Sequence, residues 1–254
     1  CPYGPGRALP VGRLVDLHSF FEAFILKRTM YYVVPNLVKP LTSKYQLSFA
    51  ELAGPRNIEW FVSHYWGIPF RDFVHSISSH AQYWSRSSVG NAEFQEDFWK
   101  SRAYWVCAFA NNQWRLDEEI GDGWETSAFY LALLSPSCQG TTMVLDEKAT
   151  PLTRVWCLFE LVQTCKLRHG RSGFCFVTGS GVLQEGRGDI SVAMALARHI
   201  STVRLEQAGA SRQTDKDMIF GLVRSMPGGF DGMNRYVRHT VSRALRNMKT
   251  NFDK

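Results

Sequence analysis

The chain contains 254 residues, of which 45% are hydrophobic and 13% aromatic. This composition excludes an intrinsically disordered protein and supplies enough apolar surface for a substantial core. The formal net charge of +6 favours anionic partners such as a dinucleotide. Arginines of the last third alternate with apolar residues at helical spacing, which is more typical of solvated helix faces than of a nucleic-acid groove, so we do not expect a nucleic-acid partner.

The cysteines and the apolar runs indicate a protein of a reducing compartment. Four of the six cysteines lie inside apolar strand or helix patterns, and none of the six shows C-x-x-C spacing. We therefore expect free buried thiols, no disulfide framework and no metal site. No apolar run approaches the roughly 18 residues that cross a membrane, so we predict a cytoplasmic protein without a membrane span.

The first part of the chain has a helical pattern. Apolar residues recur at helical intervals within residues 11–30 and predict an amphipathic helix, and Pro35 and Pro40 then break the pattern. We predict two parts on this basis. An N-terminal helical extension and connector occupies residues 1–56, and an α/β domain occupies residues 57–254.

Downstream, short apolar runs alternate with helical patterns. Five runs are typical of buried strands: 58–64, 104–109, 141–145, 174–177 and 202–205. Helices are predicted between and after them: 70–84, 126–134, 151–168, 190–199, 215–225 and 231–248. Because each parallel crossover needs a connection about as long as a helix, the alternation predicts a five-stranded parallel sheet with helices on both faces.

The most informative pattern follows the third predicted strand. Thr150 and Pro151 form a helix-start signal, a capping hydroxyl followed by a proline. On the helix that follows, Trp156 and Glu160 are four residues apart, so the indole and the carboxylate share a face. An indole shields a neighbouring carboxylate from water and strengthens its field on a developing positive charge, which suits glycosidic chemistry. The alternative is that Trp156 belongs to the core and Glu160 is a solvated helix charge.

Three segments in this order resemble the Toll/interleukin-1 receptor (TIR) domain superfamily, most closely the divergent TIR-like domains of microbial eukaryotes. Residues 61–67 (FVSHYWG) are similar to the first-strand box of the family, and residues 133–145 lie where it carries its central strand. Residues 156–161 (WCLFEL) are similar to the plant WCLDEL element. The resemblance covers about residues 57 to 205 and implies a flavodoxin-like fold with a five-stranded parallel sheet.

The resemblance also implies a function. Several TIR domains hydrolyse the bond between nicotinamide and ribose in NAD, and the glutamate of their W-x-x-x-E element is catalytic. Carried over by position, the catalytic carboxylate is Glu160 and Trp156 forms an adjacent wall, with NAD as the substrate and no cofactor. The family implies signalling or defence, with self-association into a homo-oligomer. Two alternatives stay open: a non-catalytic TIR-like interaction module, and an N-glycosidase that acts on other nucleosides or nucleotides.

Substrate-binding residues are expected at the same edge of the sheet. The turn after the first strand carries Ser63, His64, Tyr65 and Trp66, although His64 is equally compatible with a hydrogen-bonded structural histidine. The helix that starts near residue 70 offers free N–H groups to a pyrophosphate, and Arg71 would reinforce that site.

The other strand ends supply further candidates. Asn111 and Asn112 end the second predicted strand, where their amides either read the ribose or cap a loop. Asp146 ends the third strand, where it either orients the substrate or caps the following turn. Plant TIR domains place Arg-Gly after the aromatic residue of the first box, whereas the segment Tyr65-Trp66-Gly67 stands here, so that box lacks its phosphate-facing guanidinium.

Overall fold

The computed structural model describes most of the chain. The described residues are 3–88, 97–121, 123–167, 173–183, 194, 197–198, 201–202, 204–210 and 212–252. The helix predicted at 190–199 lies mostly outside them.

A mixed sheet forms the centre of the molecule. Its six strands within the described residues are β1 (Leu9–Pro10), β2 (Trp60–His64), β3 (Ala103–Val106), β4 (Gly140–Val144), β5 (Gly173–Thr178) and β6 (Gly181–Val182). They are ordered β1-β3-β2-β4-β5-β6. The four inner strands are parallel, with Trp60 opposite Tyr104 on one side and Gly140 on the other. The predicted α/β class is therefore confirmed.

The prediction of a purely parallel five-stranded sheet is wrong. Both edge strands, β1 and β6, are antiparallel to their neighbours. The strand predicted at 202–205 is absent from its described residues, because Thr202 is helical and Leu205 begins a 3₁₀ turn. Edge strands of two residues are too short to produce a hydrophobic period, so the sequence carries no signal for them.

Helices connect and cover the strands. In chain order the described helices are α1 (Val11–Phe20), α2 (Glu22–Ile25), α3 (Met30–Val33), α4 (Lys39–Thr42), α5 (Phe49–Ala53), α6 (Phe70–Ser88), α7 (Cys107–Ala110), α8 (Leu116–Ile120), α9 (Ala128–Leu134), α10 (Val155–Leu167), α11 (Gln213–Arg224) and α12 (Gly229–Phe252). The predicted strand 104–109 ends early, because its last three residues belong to the short helix α7.

The core lies on both faces of the sheet. Alternate residues of β2 point to opposite faces: Trp60 and Val62 pack in the cluster that contains α1 and α6, whereas Phe61 packs against α9. A further cluster joins β4 and β5 to α10, α11 and α12. The sheet is thus covered by helices on both faces, which leaves its ends as the places where loops meet solvent.

The N-terminal segment packs into the same core. Leu14, Ile25 and Met30 belong to the cluster that also contains Trp60 and Phe70. The single helix predicted over 11–30 is divided, since α1 ends at residue 20 and α2 is a separate short turn. The division of the chain into residues 1–56 and 57–254 stays a prediction.

Candidate active site

A cavity of about 260 Å³ opens at the carboxyl ends of the parallel strands β2 and β3. This is the edge at which open α/β sheets bind ligands. Its wall combines residues that follow the two strands with the first turns of α10, among them His64, Tyr65, Trp66, Cys107, Asn111, Trp156 and Glu160. The structure therefore brings six of the ten predicted site residues to one cavity.

Glu160 contributes a buried carboxylate to this cavity. Only 5% of its surface is exposed, and Oε2 has no hydrogen-bond partner among the described residues. Burial raises the pKa of Glu160 to about 8, and the nearby Ser63 hydroxyl partly offsets that rise. The cost of burying an ion explains the direction of the shift. At neutral pH the carboxyl of Glu160 is therefore mostly protonated, and a positive charge beside it would favour the ionised form.

Trp156 lies one helical turn before Glu160 and is fixed from two sides. Its Nε1 donates a hydrogen bond of 3.0 Å to Asp215 Oδ2 at the start of α11. Its ring stacks on Phe129 of α9 with a centroid distance of 5.4 Å and an interplanar angle of 21°. A ring held by both a hydrogen bond and a stack has little rotamer freedom, so the indole is a rigid wall of the cavity.

His64 and Asn111 line the same cavity and carry buried polar atoms without partners among the described residues. Both ring nitrogens of His64 and Oδ1 of Asn111 lack hydrogen-bond partners in the part of the chain that the structure describes. Burial lowers the pKa of His64 to about 4, so the ring is neutral at pH 7. Buried polar atoms are nearly always hydrogen-bonded in native proteins, so these atoms are candidates for contact with a ligand.

Further aromatic side chains line the cavity. Tyr65 and Trp66 follow β2, and Tyr31 from α3 packs against both rings at centroid distances of 6.3 and 5.7 Å. Trp66 Nε1 lies 3.4 Å from Cys107 Sγ, and the Trp66 carbonyl accepts a hydrogen bond from the Met30 N–H. The N-terminal segment thus forms part of the site.

Two of the predicted residues have structural partners instead of facing the cavity. Asn112 donates to the Gln46 carbonyl at 2.8 Å and accepts from the Trp114 N–H, so it closes a loop. Asp146 accepts from the N–H and the hydroxyl of Thr150 at 2.7 and 2.6 Å. It therefore caps the 3₁₀ turn Thr150–Thr153, and it lines a different cavity.

Arg71 and Ser63 also differ from the prediction. Arg71 is exposed, pairs with its neighbour Asp72 at 3.2 Å and lines a separate cavity beside Glu22. The predicted pyrophosphate site at this helix start is therefore not part of the cavity that contains Glu160. Ser63 is fully buried and is absent from the described wall, and it affects the site through Glu160 and Cys157.

Several residues of the wall were not predicted, chiefly Arg154, Gln113 and Tyr31. Gln113 donates to the carbonyls of Cys107 and Asn111 and holds the loop after β3. Arg154 precedes Trp156 by two residues, and an arginine directly before a helix that bears a functional motif is the signal that could have identified it. Tyr31 offered no signal, because its contribution depends on long-range packing.

The thiols and the metal-ligating side chains do not suggest other chemistry. Burial raises the pKa of Cys107 to about 12 and raises the pKa of Cys157 well above its ordinary value, so both thiols are protonated and poor nucleophiles. Among the described residues no group of three or more His, Cys, Asp or Glu side chains is arranged to hold a metal ion. None of the described helices combines the length and the apolar character needed to cross a membrane.

Comparisons with known proteins identified no relative of this chain. The chain matched no family model, no curated protein and no solved structure.

Proposed function

We propose that this chain hydrolyses the bond between nicotinamide and ribose in NAD, with Glu160 as the catalytic carboxylate. The observation that carries the proposal is the buried, unpartnered Oε2 of Glu160 in a cavity beside the fixed indole of Trp156. A carboxylic acid is seldom left in this state without a function, because burial disfavours its charged form by several kcal/mol.

The reaction needs what this cavity offers. The bond between the anomeric carbon and the pyridinium nitrogen breaks, and its electron pair leaves with nicotinamide as a neutral base, so no general acid is required. Positive charge passes to the ribose, where the ionised Glu160 stabilises it. Water then bonds to the anomeric carbon, and its proton passes to Glu160 and on to solvent. The products are nicotinamide, ADP-ribose and a proton.

A TIR-like, flavodoxin-type arrangement is part of the proposal. If β2 is counted as the first strand, the parallel strands run in the order 2-1-3-4, and the flavodoxin order 2-1-3-4-5 begins the same way. A role in signalling or defence, a cytoplasmic location and self-association belong to the same proposal. The ribose hydroxyls would meet the unpartnered atoms of His64 and Asn111.

A non-catalytic interaction module is the second candidate. The observation that favours it is a group of exposed aromatic side chains on the N-terminal segment: Phe20 is 81% exposed, Phe24 63% and Tyr45 61%. Exposed aromatic residues are frequent in protein interfaces. This candidate predicts no turnover of NAD at any concentration of the chain.

The direct test is nicotinamide release by the purified chain. We expect the concentrated wild-type protein to release nicotinamide from NAD. Chromatography of the reaction mixture measures this release. Absence of release would support the interaction module. Release of a base from other nucleosides or nucleotides, with NAD left intact, would support the N-glycosidase alternative.

The activity should rise with pH. Because the pKa of Glu160 is about 8, kcat/KM should increase about tenfold per pH unit below that value and level off above it. The pyridinium charge of bound NAD favours the ionised form of Glu160 and so lowers its pKa in the complex. The rise of kcat with pH should therefore occur at a lower pH than the rise of kcat/KM. Steady-state rates between pH 5 and 9.5 measure both limbs. A kcat/KM that is constant over this range would contradict the assignment of Glu160.

A further inference from the structure

We infer that the cavity recognises a 5′-phosphorylated nicotinamide riboside, with the phosphate bound by Arg154 and the N-terminus of α10. The inference rests on the proposed function and specifies its substrate class. It replaces the predicted anion site at Arg71, which the structure places in another cavity.

The first turn of α10 lines the cavity with unused donors. The Val155 N–H donates to the Gly209 carbonyl, and the Leu158 N–H donates to the Arg154 carbonyl. The N–H groups of Trp156 and Cys157 have no acceptor among the described residues. Free N–H groups at the start of a helix of this length are oriented to bind an anion.

Arg154 adds a positive charge at the same place. Its guanidinium lies 5.7 Å from the ring centroid of Tyr65, and within the described residues it forms no ion pair. Among the described residues of the cavity wall, Arg154 carries a permanent charge and Glu160 carries one when it is ionised, whereas the neighbouring His64 is neutral at pH 7. A guanidinium that is held against a ring and unpaired with a carboxylate is available for a phosphate.

The spacing between the first turn of α10 and Glu160 matches a nucleotide. Four residues separate Trp156 from Glu160, which corresponds to about 6 Å along the helix axis. In a nucleotide, the anomeric carbon and the phosphorus are joined through five bonds of ~1.5 Å each, and this bent path spans about 5–6 Å. A phosphate at the start of α10 therefore places the anomeric carbon near the Glu160 carboxylate.

The size of the cavity limits what it can enclose. Sites that enclose a drug-sized ligand usually measure ~300–1,000 Å³, and this cavity measures about 260 Å³. It accommodates the nicotinamide riboside and its phosphate, and the adenosine half of NAD extends beyond it. The adenosine half therefore contributes little to recognition.

The test compares three substrates: NAD, nicotinamide mononucleotide and nicotinamide riboside. For the wild type we expect kcat/KM for the mononucleotide within about tenfold of that for NAD, and a value for the riboside that is lower by about tenfold to a hundredfold. Arg154→Gln should reduce the rates for both phosphorylated substrates to the riboside level, while the riboside rate stays the same. Arg154→Lys should restore part of the loss, because it keeps the charge but not the guanidinium fork.

The control is Arg13→Gln, which removes an exposed arginine on α1 that pairs with Asp16 in a different cavity. Thermal unfolding of each variant checks that it is folded. A mononucleotide that resists cleavage while NAD is cleaved would overturn the inference, as would an Arg154→Gln variant that loses riboside cleavage equally. Either result leaves the proposed function intact if Glu160→Gln still abolishes release from NAD. Failure of the proposed function is different, because the wild type would then release nicotinamide from none of the three.

Discussion

Glu160→Gln should lower the rate of nicotinamide release from NAD by about 10³-fold. Glutamine keeps the shape and the hydrogen-bonding capacity of the neutral acid but can never carry the negative charge that stabilises the ribose cation. The measurement is single-turnover nicotinamide release by wild type and variant at pH 8, where the wild-type carboxylate is about half ionised. Glu160→Asp should retain part of the activity, because the side chain keeps its negative charge but is shorter by one methylene, so the charge lies farther from the ribose.

The matched control for this variant is Glu147→Gln. Glu147 is exposed and lines the cavity beside Asp146, away from the proposed site. We expect its rate to equal that of the wild type. A Glu160→Gln variant that is folded and keeps its rate within a few-fold would show that the charge of Glu160 has no catalytic role.

Glu160→Gln should also make the protein more stable at alkaline pH. In the folded state the pKa of Glu160 is about 8, whereas the ordinary value is 4.5. Between these values the folded wild type binds a proton that the unfolded chain has lost, so its free energy of unfolding falls as the pH rises. The variant has no such proton, and its advantage should grow from near zero below pH 4.5 to about 3–5 kcal/mol above pH 8.

Urea unfolding of both proteins between pH 4 and 9 measures this difference. The buried His64 and His80, whose pKa values are lowered to about 4 and 3, act in the opposite direction. They bind protons only after unfolding, so stability falls as the pH drops below 6.5, and this acid limb should be the same in wild type and variant. If the variant is instead less stable than the wild type at pH 8, Glu160 has a structural role and the interaction module gains support.

These two experiments together separate catalysis from structure. Substitution of a residue that stabilises the fold lowers both the activity and the free energy of unfolding. Substitution of a buried catalytic carboxylate lowers the activity but raises the free energy of unfolding, because it removes a buried charge. The unpartnered Oε2 of Glu160 predicts the second outcome. The same logic does not apply to Trp156, because its hydrogen bond to Asp215 and its stack on Phe129 contribute to packing as well.

Much of the fold could be predicted from the pattern of residues. The runs that became β2 and β5 are mostly apolar and aromatic, and β4 combines Met143 and Val144 with two threonines, a β-branched residue that strands favour. The helix α6 followed from apolar residues on one side of a polar segment. The edge strands and the division between α1 and α2 could not be predicted, because they depend on where extended backbone meets a neighbouring strand.

The candidate site was only partly predictable for a related reason. The carboxyl end of the first predicted strand carries His64, Tyr65 and Trp66. Because the carboxyl ends of parallel strands share one edge of the sheet, the sequence could predict that these residues line a cavity there. Asn112 and Asp146 also come after strands, but local hydrogen bonds occupy their side chains. Polar residues at strand ends serve turns as readily as ligands, and the sequence pattern is the same for both uses.

The local sequence by itself determined that Trp156 and Glu160 share one helical face, because the period of the helix depends only on spacing. Tertiary structure decided that this face lines a cavity, that Glu160 is buried enough to raise its pKa, and that Arg154 rather than Arg71 lines the same cavity. The physical reason is that burial and the field of neighbouring charges arise from contacts between elements far apart in the chain. No local pattern of residues encodes those contacts.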